Sequence, residues 1–447
     1  MKEVLKESRA SLLLAVPIII GQLGQMLMGV TDSVMIGRTG TVPLAASSFG
    51  GGVFNVFFII GVGLLTPVAV FTSRSRGAGR HDEAGEYLRH GLMLALGTGL
   101  VEFALILWLG RHLEWFHQRP VVVAAVNPFF LLIGLSLVPV LAYIALRQFA
   151  DSMGRPWVPM MILLAGVVLN AFLDWVLIYG HLGMPSLGLT GAGIATLASR
   201  VLGSAFIFTW MRLDPSMRAA LPRRWLAPVS WERMRRMLSV GLPASGSLLF
   251  EGGAFAAATV MMGWLGAAPL AAHQVAISCA ALTFMLPLGL SMAVGIRMGA
   301  AVGAGHHSKL RSIWVGAVGM TIAQSALFTL VYLFCGRAIA SCFIGDPAVI
   351  STATLLLVVA AVFQIFDGAQ VVNSAALRGL TDVRMPAAIT FMAYWMIAIP
   401  AGYILGIRAG FGPAGIWMGL AAGLAVAAVL LGARFVRLTR PGAPAVS

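Results

Sequence analysis

The chain has 447 residues, 59% of them hydrophobic and only 10% charged, with a formal net charge of +14 at pH 7. A soluble globule carries about 25% charged residues, so this composition excludes a water-facing protein and leaves no room for a soluble domain. Its solvent is lipid, and the basic excess has to be explained by where the basic residues stand.

In chain order the sequence predicts twelve membrane helices, at 10–36, 44–72, 91–110, 121–146, 157–180, 191–211, 237–264, 269–296, 313–335, 348–377, 385–406 and 413–433. Runs of this kind recur along the whole length and suffice to cross a hydrocarbon core of about 30 Å. The first run, Leu12 to Ile36, shows no small-residue cleavage site and leads straight into a second span, so it reads as a retained helix. With the N-terminus placed in the cytoplasm, 24 of the 30 Lys and Arg fall on the cytoplasmic side, five fall outside, and only Arg200 lies within a span. Positive residues collect on the cytoplasmic side of membrane proteins. The basic loops are therefore topology signals, both termini are expected in the cytoplasm, and nucleic acid is not an expected partner. Cys279, Cys335 and Cys342 have no metal-ligand spacing, and no Gly-rich phosphate loop with Lys and Ser or Thr occurs, so neither redox chemistry nor ATP hydrolysis is indicated.

The chain repeats itself at an offset of 226, where MIGRTGTVPLAA (35–46) falls on MMGWLGAAPLAA (261–272), Pro17 on Pro243, Gly63 on Gly289 and His81 on His307. Six helices separate equivalent positions. Because six is even, the halves have the same orientation, as in parallel-repeat secondary transporters. The expected class is an all-α integral membrane protein with two parallel six-helix lobes: an N-lobe at 1–211, a basic cytoplasmic linker at 212–236, a C-lobe at 237–434 and a tail at 435–447. Two equal lobes favour a carrier that works by alternating access.

Five acids fall within predicted spans: Asp32, Glu102, Asp174, Glu251 and Asp367. Charged groups at mid-bilayer depth are expensive and mark ion or substrate paths. Asp32 shares a helical face with Gln22, Gln25 and Gly29; Asn170 and Asp174 stand one turn apart; and Thr196 lies at a similar depth. These oxygen ligands suit Na⁺, and a carboxylate pair equally suits a shared proton. In the C-lobe Glu251 shares a face with Ser247, and Asp367 with Gln364 and Gln370. Glu102 lacks such company. Only Arg200 is expected to neutralise one of these acids within the membrane, which makes the cavity net acidic. Pro17, Pro67, Pro139, Pro243, Pro287 and Pro400 are expected to kink their helices.

PIIIGQLGQMLMGVTDSVMIG (17–37), LNAFLDWVLIYG (169–180), GAGIAT (191–196), LLFEGGAF (248–255), PLAAHQ (269–274) and FDGAQVVNSAALRGLTD (366–382) resemble the NorM-like bacterial branch of the multidrug and toxic compound extrusion (MATE) family. The resemblance spans the chain. It implies a twelve-helix multidrug antiporter of the inner membrane, a monomer without cofactor, exporting cationic and amphiphilic compounds in exchange for Na⁺ or H⁺. By position it implies a cation or proton site at Asp32, Asn170, Asp174 and Thr196, a second at Glu251 and Asp367, and substrate contacts at Gln274 and Asp346. Gln25, Phe284 and Phe363 complete the expected substrate-binding set. Some members carry Tyr near the C-lobe cation where this chain has Phe284 and Phe363, which removes hydroxyl ligands. A lipid-linked oligosaccharide flippase of the related superfamily is the alternative reading; such proteins tend to more spans or to cationic cavities.

Overall fold

The computed structural model of the protein describes residues 2–117 and 119–440, so the last seven residues of the expected tail, 441–447, lie outside the described residues. Among the described residues twelve helices are long and apolar enough to cross a membrane. Helices are the form that apolar segments of this length take in lipid, because every backbone N–H and C=O must be bonded within the segment.

The first three spans are α1 (Lys2–Gly37), α2 (Thr41–Gly77) and α3 (His81–Gly110). The fourth, Pro120–Ser152, is broken at Ser136 into α4 (Pro120–Leu135) and α5 (Leu137–Ser152). Pro139 therefore sits in the first turn of α5, where its missing N–H removes no helical bond. Next come α6 (Trp157–Tyr179) and α7 (Gly188–Leu213). A short α8 (Pro215–Arg218) begins the linker. Asp214 caps it, and the Ser216 hydroxyl and two backbone N–H groups hold this exposed carboxyl below its ordinary pKa. Then follow α9 (Trp231–Leu265), α10 (Ala267–Gly303), α11 (Lys309–Phe343) and α12 (Pro347–Gly379). The eleventh span, Arg384–Arg408, is irregular. It runs from α13 (Arg384–Phe391) through a π-helical segment, Met392–Ala398, into α14 (Ile399–Tyr403), which Pro400 opens, and then a second π-helical segment, Ile404–Arg408. The chain closes with α15 (Gly412–Leu438).

Several helices outrun the predicted spans. α2 and α10 have 37 residues each, about 55 Å at 1.5 Å per residue, so they project well beyond the hydrocarbon layer. The excess corrects one expectation. Arg147, Arg297 and Arg378, placed in loops by hydropathy, are inside α5, α10 and α12. Arg200 is thus not alone as a helix-borne cation near the buried acids.

Two compact units form: Met1–Ile19 with Gly246–Ser447, and Ile20–Ser245. Each boundary falls two residues after an equivalent proline, Pro17 in α1 and Pro243 in α9. Each unit therefore contains the opening turns of the other repeat's first helix. Glycines make room for those turns. A methyl group on Gly63 of α2 would meet Ser245 Cα at 2.4 Å, and one on Gly289 of α10 would meet Ile19 Cα at 3.0 Å. The Ser245 hydroxyl also donates to the Ile60 carbonyl at 2.8 Å. Because Gly63 and Gly289 are 226 residues apart, as are Ile19 and Ser245, one helix crossing occurs in both units. In the Ile20–Ser245 unit α6 packs on α7, while α2, α3 and α5 pack together. In the other unit α12 packs against α10, α11 and α15, and α15 lies along the eleventh span through Gly415, Gly419 and Gly423. Small residues at this spacing let two backbones touch: a methyl on Gly419 would meet Gly402 N at 2.2 Å.

Candidate functional site

In the Ile20–Ser245 unit the expected ligands come from three helices. Asp32 is on α1, Asn170 and Asp174 are on α6, and Thr196 is on α7. The α6–α7 hairpin is held tight at Gly191, where a methyl would meet the Leu177 carbonyl at 2.6 Å. Asp174 and Asn170 are fully buried, and Thr196 nearly so. Asp32 and Asp174 are electrostatic neighbours. Two ionised carboxylates can only accept, so a hydrogen bond between them would need a shared proton. Without it, both Asp174 oxygens and Asp32 Oδ1 are buried with no donor from the protein. Both polar atoms of the Asn170 amide are also unpartnered. Buried polar groups left unpaired cost roughly 1–3 kcal/mol each. A proton or a monovalent cation on these oxygens would relieve that cost.

Asp32 also faces Arg200. Arg200 Nη1 donates to Ser136 Oγ at 2.5 Å, and its guanidinium lies 4.7 Å above the centre of the Phe54 ring. Asp32, Gln25, Phe54, Arg147 and Arg200 line one cavity of about 270 Å³. Asp32, Thr196 and Arg200 also line a second, of about 260 Å³. The structure thus brings together Asp32, Asp174, Thr196 and Gln25. It corrects the expectation of an acidic cavity here, because the walls of the larger one carry two arginines and one aspartate.

In the other unit Glu251 on α9 and Asp367 on α12 are electrostatic neighbours, and Arg378 stands near Glu251. Asp367 is buried and its Oδ1 has no donor. The sequence reading missed Tyr394. It is fully buried, its hydroxyl has no protein partner, and it interacts with both acids. This tyrosine lies in the π-helical segment of the eleventh span, the kind of helix irregularity often found at functional sites. A tyrosine therefore stands within electrostatic range of the acids despite Phe284 and Phe363. Gln364 Oε1 and Gln370 Oε1, on the same helix as Asp367, are likewise buried without donors.

The other expected substrate residues stand apart. Phe363 is buried between Phe255 and Trp417, with ring centres 6.0 and 5.3 Å away. Gln274 is exposed, while the neighbouring His273 is buried and joins Thr259 and Trp417. Phe284 is half-buried on α10. Asp346 is exposed and caps α12 through the Ala348 N–H at 2.8 Å. It precedes Asp367 by about 30 Å of helix. Among the described residues no three His, Cys, Asp or Glu side chains converge to hold a metal ion.

Two buried acids missed in sequence are Glu7, paired with Arg297, and Asp151, 3.6 Å from Arg147. Glu102 is buried with both carboxylate oxygens unpartnered.

The family model described as MatE matches residues 17–176 and again 243–404, one copy in each half. The chain is 33% identical over 438 residues to the probable multidrug resistance protein NorM of Agrobacterium fabrum, covering 97% of this chain and 94% of that one. It is 32% identical over 445 residues to the multidrug resistance protein MdtK of Yersinia pestis, covering 97% and 96%. Its fold is similar to that of the Vibrio cholerae MATE transporter VcmN in the bent form, with a TM-score of 0.89 and 20% identity over 98% of each chain. At that identity the likeness speaks to fold alone. The doubled family match and the near full-length relatives make this twelve-helix membrane protein a member of the MatE family.

Proposed function

We propose that the protein is a secondary active antiporter that exports cationic and amphiphilic small molecules and takes up Na⁺ or H⁺ in return, by alternating access of its two lobes. The observation that carries this reading is a pair of neighbouring acids in each unit, one half-buried and one buried: Asp32 with Asp174, and Glu251 with Asp367. In both, carboxylate oxygens are shut away from water without enough donors. Such a pair binds a proton or a monovalent cation, and a ligand shifts a conformational equilibrium by its difference in affinity for the two states. Inward movement of one positive charge down 100 mV supplies about 2.3 kcal/mol for the export step. The multidrug-resistance naming of the relatives supports the small-molecule substrate. The crowding of Lys and Arg on one side supports an inner-membrane protein with cytoplasmic termini; a monomer without cofactor belongs to the same proposal.

The test uses purified protein in sealed vesicles loaded with ethidium, with a Na⁺ gradient and a pH gradient imposed separately. Saturable ethidium movement driven by one of them is expected. Movement that ignores both gradients would sink the antiport reading.

A further inference from the structure

The two cavities of the Ile20–Ser245 unit meet at four residues, Gly29, Asp32, Phe54 and Arg200, which line both. They are stacked along the helices. On α1 the larger cavity is lined between Gln25 and Asp32 and the smaller between Gly29 and Ile36. On α2, which runs back from α1, the larger is lined between Phe54 and Phe58 and the smaller between Ser47 and Phe54; on α7 the corresponding stretches are Ser199 to Gly203 and Ala192 to Arg200. The fourth span repeats the shift, since it gives Val140 and Ile144 of α5 to the larger cavity and Phe129 and Ile133 of α4 to the smaller. Every helix therefore places the smaller cavity at one end, where α1 stops and α2, α4 and α7 start. With cytoplasmic termini this is the outer end.

Their walls differ in chemistry. Phe58, Val140, Ile144 and Ile162 make the larger cavity apolar over one side. The smaller carries four hydroxyls, Ser33, Ser47, Ser48 and Thr196, and among the described residues its charged lining is Asp32 and Arg200 alone. Ser33 Oγ donates to the Gly29 carbonyl at 2.8 Å, and Ser47 Oγ donates to the Leu44 carbonyl at 2.9 Å. A hydroxyl has one proton and two lone pairs, so these two offer only acceptors to whatever enters. Ser33 and Ser48 are exposed and Thr196 is nearly buried. The hydroxyls thus lead inward to Asp32, and Asp174 adds a second carboxyl in its electrostatic neighbourhood. Arg200 closes the inner end, held by Ser136 Oγ and by the Phe54 ring. A cation that settles on Asp32 neutralises the carboxylate facing Arg200. The guanidinium charge then stands uncompensated on the border with the larger cavity, and a fixed positive charge of this kind bars cations in a pore.

We propose that the smaller cavity is the entry by which a small cation, Na⁺ or a hydrated proton, reaches Asp32, and that Arg200 is the positioning residue that keeps this cation out of the larger cavity. The inference rests on the antiport reading only in making that cation the coupling ion.

The test places one thiol in each cavity of the full chain in nanodiscs, Ser47→Cys in the smaller and Ile162→Cys in the larger. Each protein is treated with a cationic reagent, trimethylammonioethyl methanethiosulfonate, and an anionic one, sulfonatoethyl methanethiosulfonate. Peptide mass spectrometry reads the rate at position 47 or 162 directly, apart from the chain's own three cysteines, and each rate is divided by that of the same reagent with free cysteine. The cation-to-anion ratio is expected to be about tenfold higher at position 47 than at position 162, the scale on which a charged cleft concentrates its counter-ion. Adding Arg200→Gln should raise the ratio at position 162, and Arg200→Lys, which keeps the charge, should leave it low. Equal ratios at the two positions, or a higher one at 162, overturn the cation entry. A ratio at 162 that Arg200→Gln leaves unchanged overturns the role given to Arg200. The comparison of positions 47 and 162 needs no change at Arg200. A higher ratio at 47 in a protein that moves ethidium under neither gradient would support the entry and overturn the export reading alone.

Discussion

Asp32 on α1 and Asp174 on α6 are electrostatic neighbours, and a proton shared by two such carboxyls would make a bond that two anions cannot. Asp32→Asn removes a charge from that pair and strands Arg200 beside a neutral amide. We expect gradient-driven ethidium export to fall by about tenfold or more, the rate effect of roughly 1.4 kcal/mol, and Asp367→Asn to do the same in the other unit. Near-normal export by both folded variants would remove these acids from the mechanism. Tyr394 separates stability from function. Its buried hydroxyl has no protein partner, so Tyr394→Phe is expected to keep or raise the melting temperature, since deleting an unpaired polar group relieves its desolvation. If the hydroxyl serves the two acids it senses electrostatically, export falls in the same variant. A lowered melting temperature would assign it a structural role. The Asp32 face was readable because Gln25, Gly29 and Asp32 follow helical spacing within one segment, and Asn170 with Asp174 likewise. Tyr394, Arg147 and Arg378 were not. A charge close to a span's end reads as the start of the loop, which cut α5 just before Arg147 and α12 just before Arg378. Tyr394 reaches Glu251 and Asp367 across three segments through a π-helical stretch that no periodicity announces.

At the scale of elements, glycine decides which helices touch. The matched pair Gly63 and Gly289 was visible in the sequence as a repeat position, but its reason is a crossing at which a backbone replaces a side chain. Gly63→Val and Gly289→Val push a branched side chain into the backbones of α9 and α1, and overpacking of this kind costs about 1–3 kcal/mol. Thermal unfolding in detergent should show a lower melting temperature for each. Gly97→Ala in α3 is the control, because a methyl there meets nothing within 4 Å. A control loss as large as theirs would show that the close approach is not what matters. The helix break at Ser136 was not legible, since Pro139 looks the same in sequence whether it kinks a helix or starts one.

For the whole molecule, twelve spans and a family match in each half agree with the repeat read from the 226 offset. The composition of the two units did not follow from it. Hydropathy treats α1 as one object, whereas its residues divide at Ile19 and those of α9 at Ser245. Orientation is open to a test with the chain's own thiols. Cys342 is exposed at the end of α11 and Cys279 is buried. With cytoplasmic termini, a membrane-impermeant maleimide should label Cys342 in spheroplasts and not in inverted vesicles. Labelling only in inverted vesicles would reverse the topology.

The divided first helix also sets an order of assembly. A ribosome adds about 5–20 residues per second, so Ile19 emerges some ten to forty-five seconds before Gly246, where the rest of its unit begins. The Ile20–Ser245 unit is fully synthesised at Ser245, while the earliest-made turns of the protein belong with its last two hundred residues. A fragment released after residue 248 should therefore resist protease in the membrane better than one released after residue 225, which lacks the opening turns of α9. The beginning of the chain is the last part to find its place.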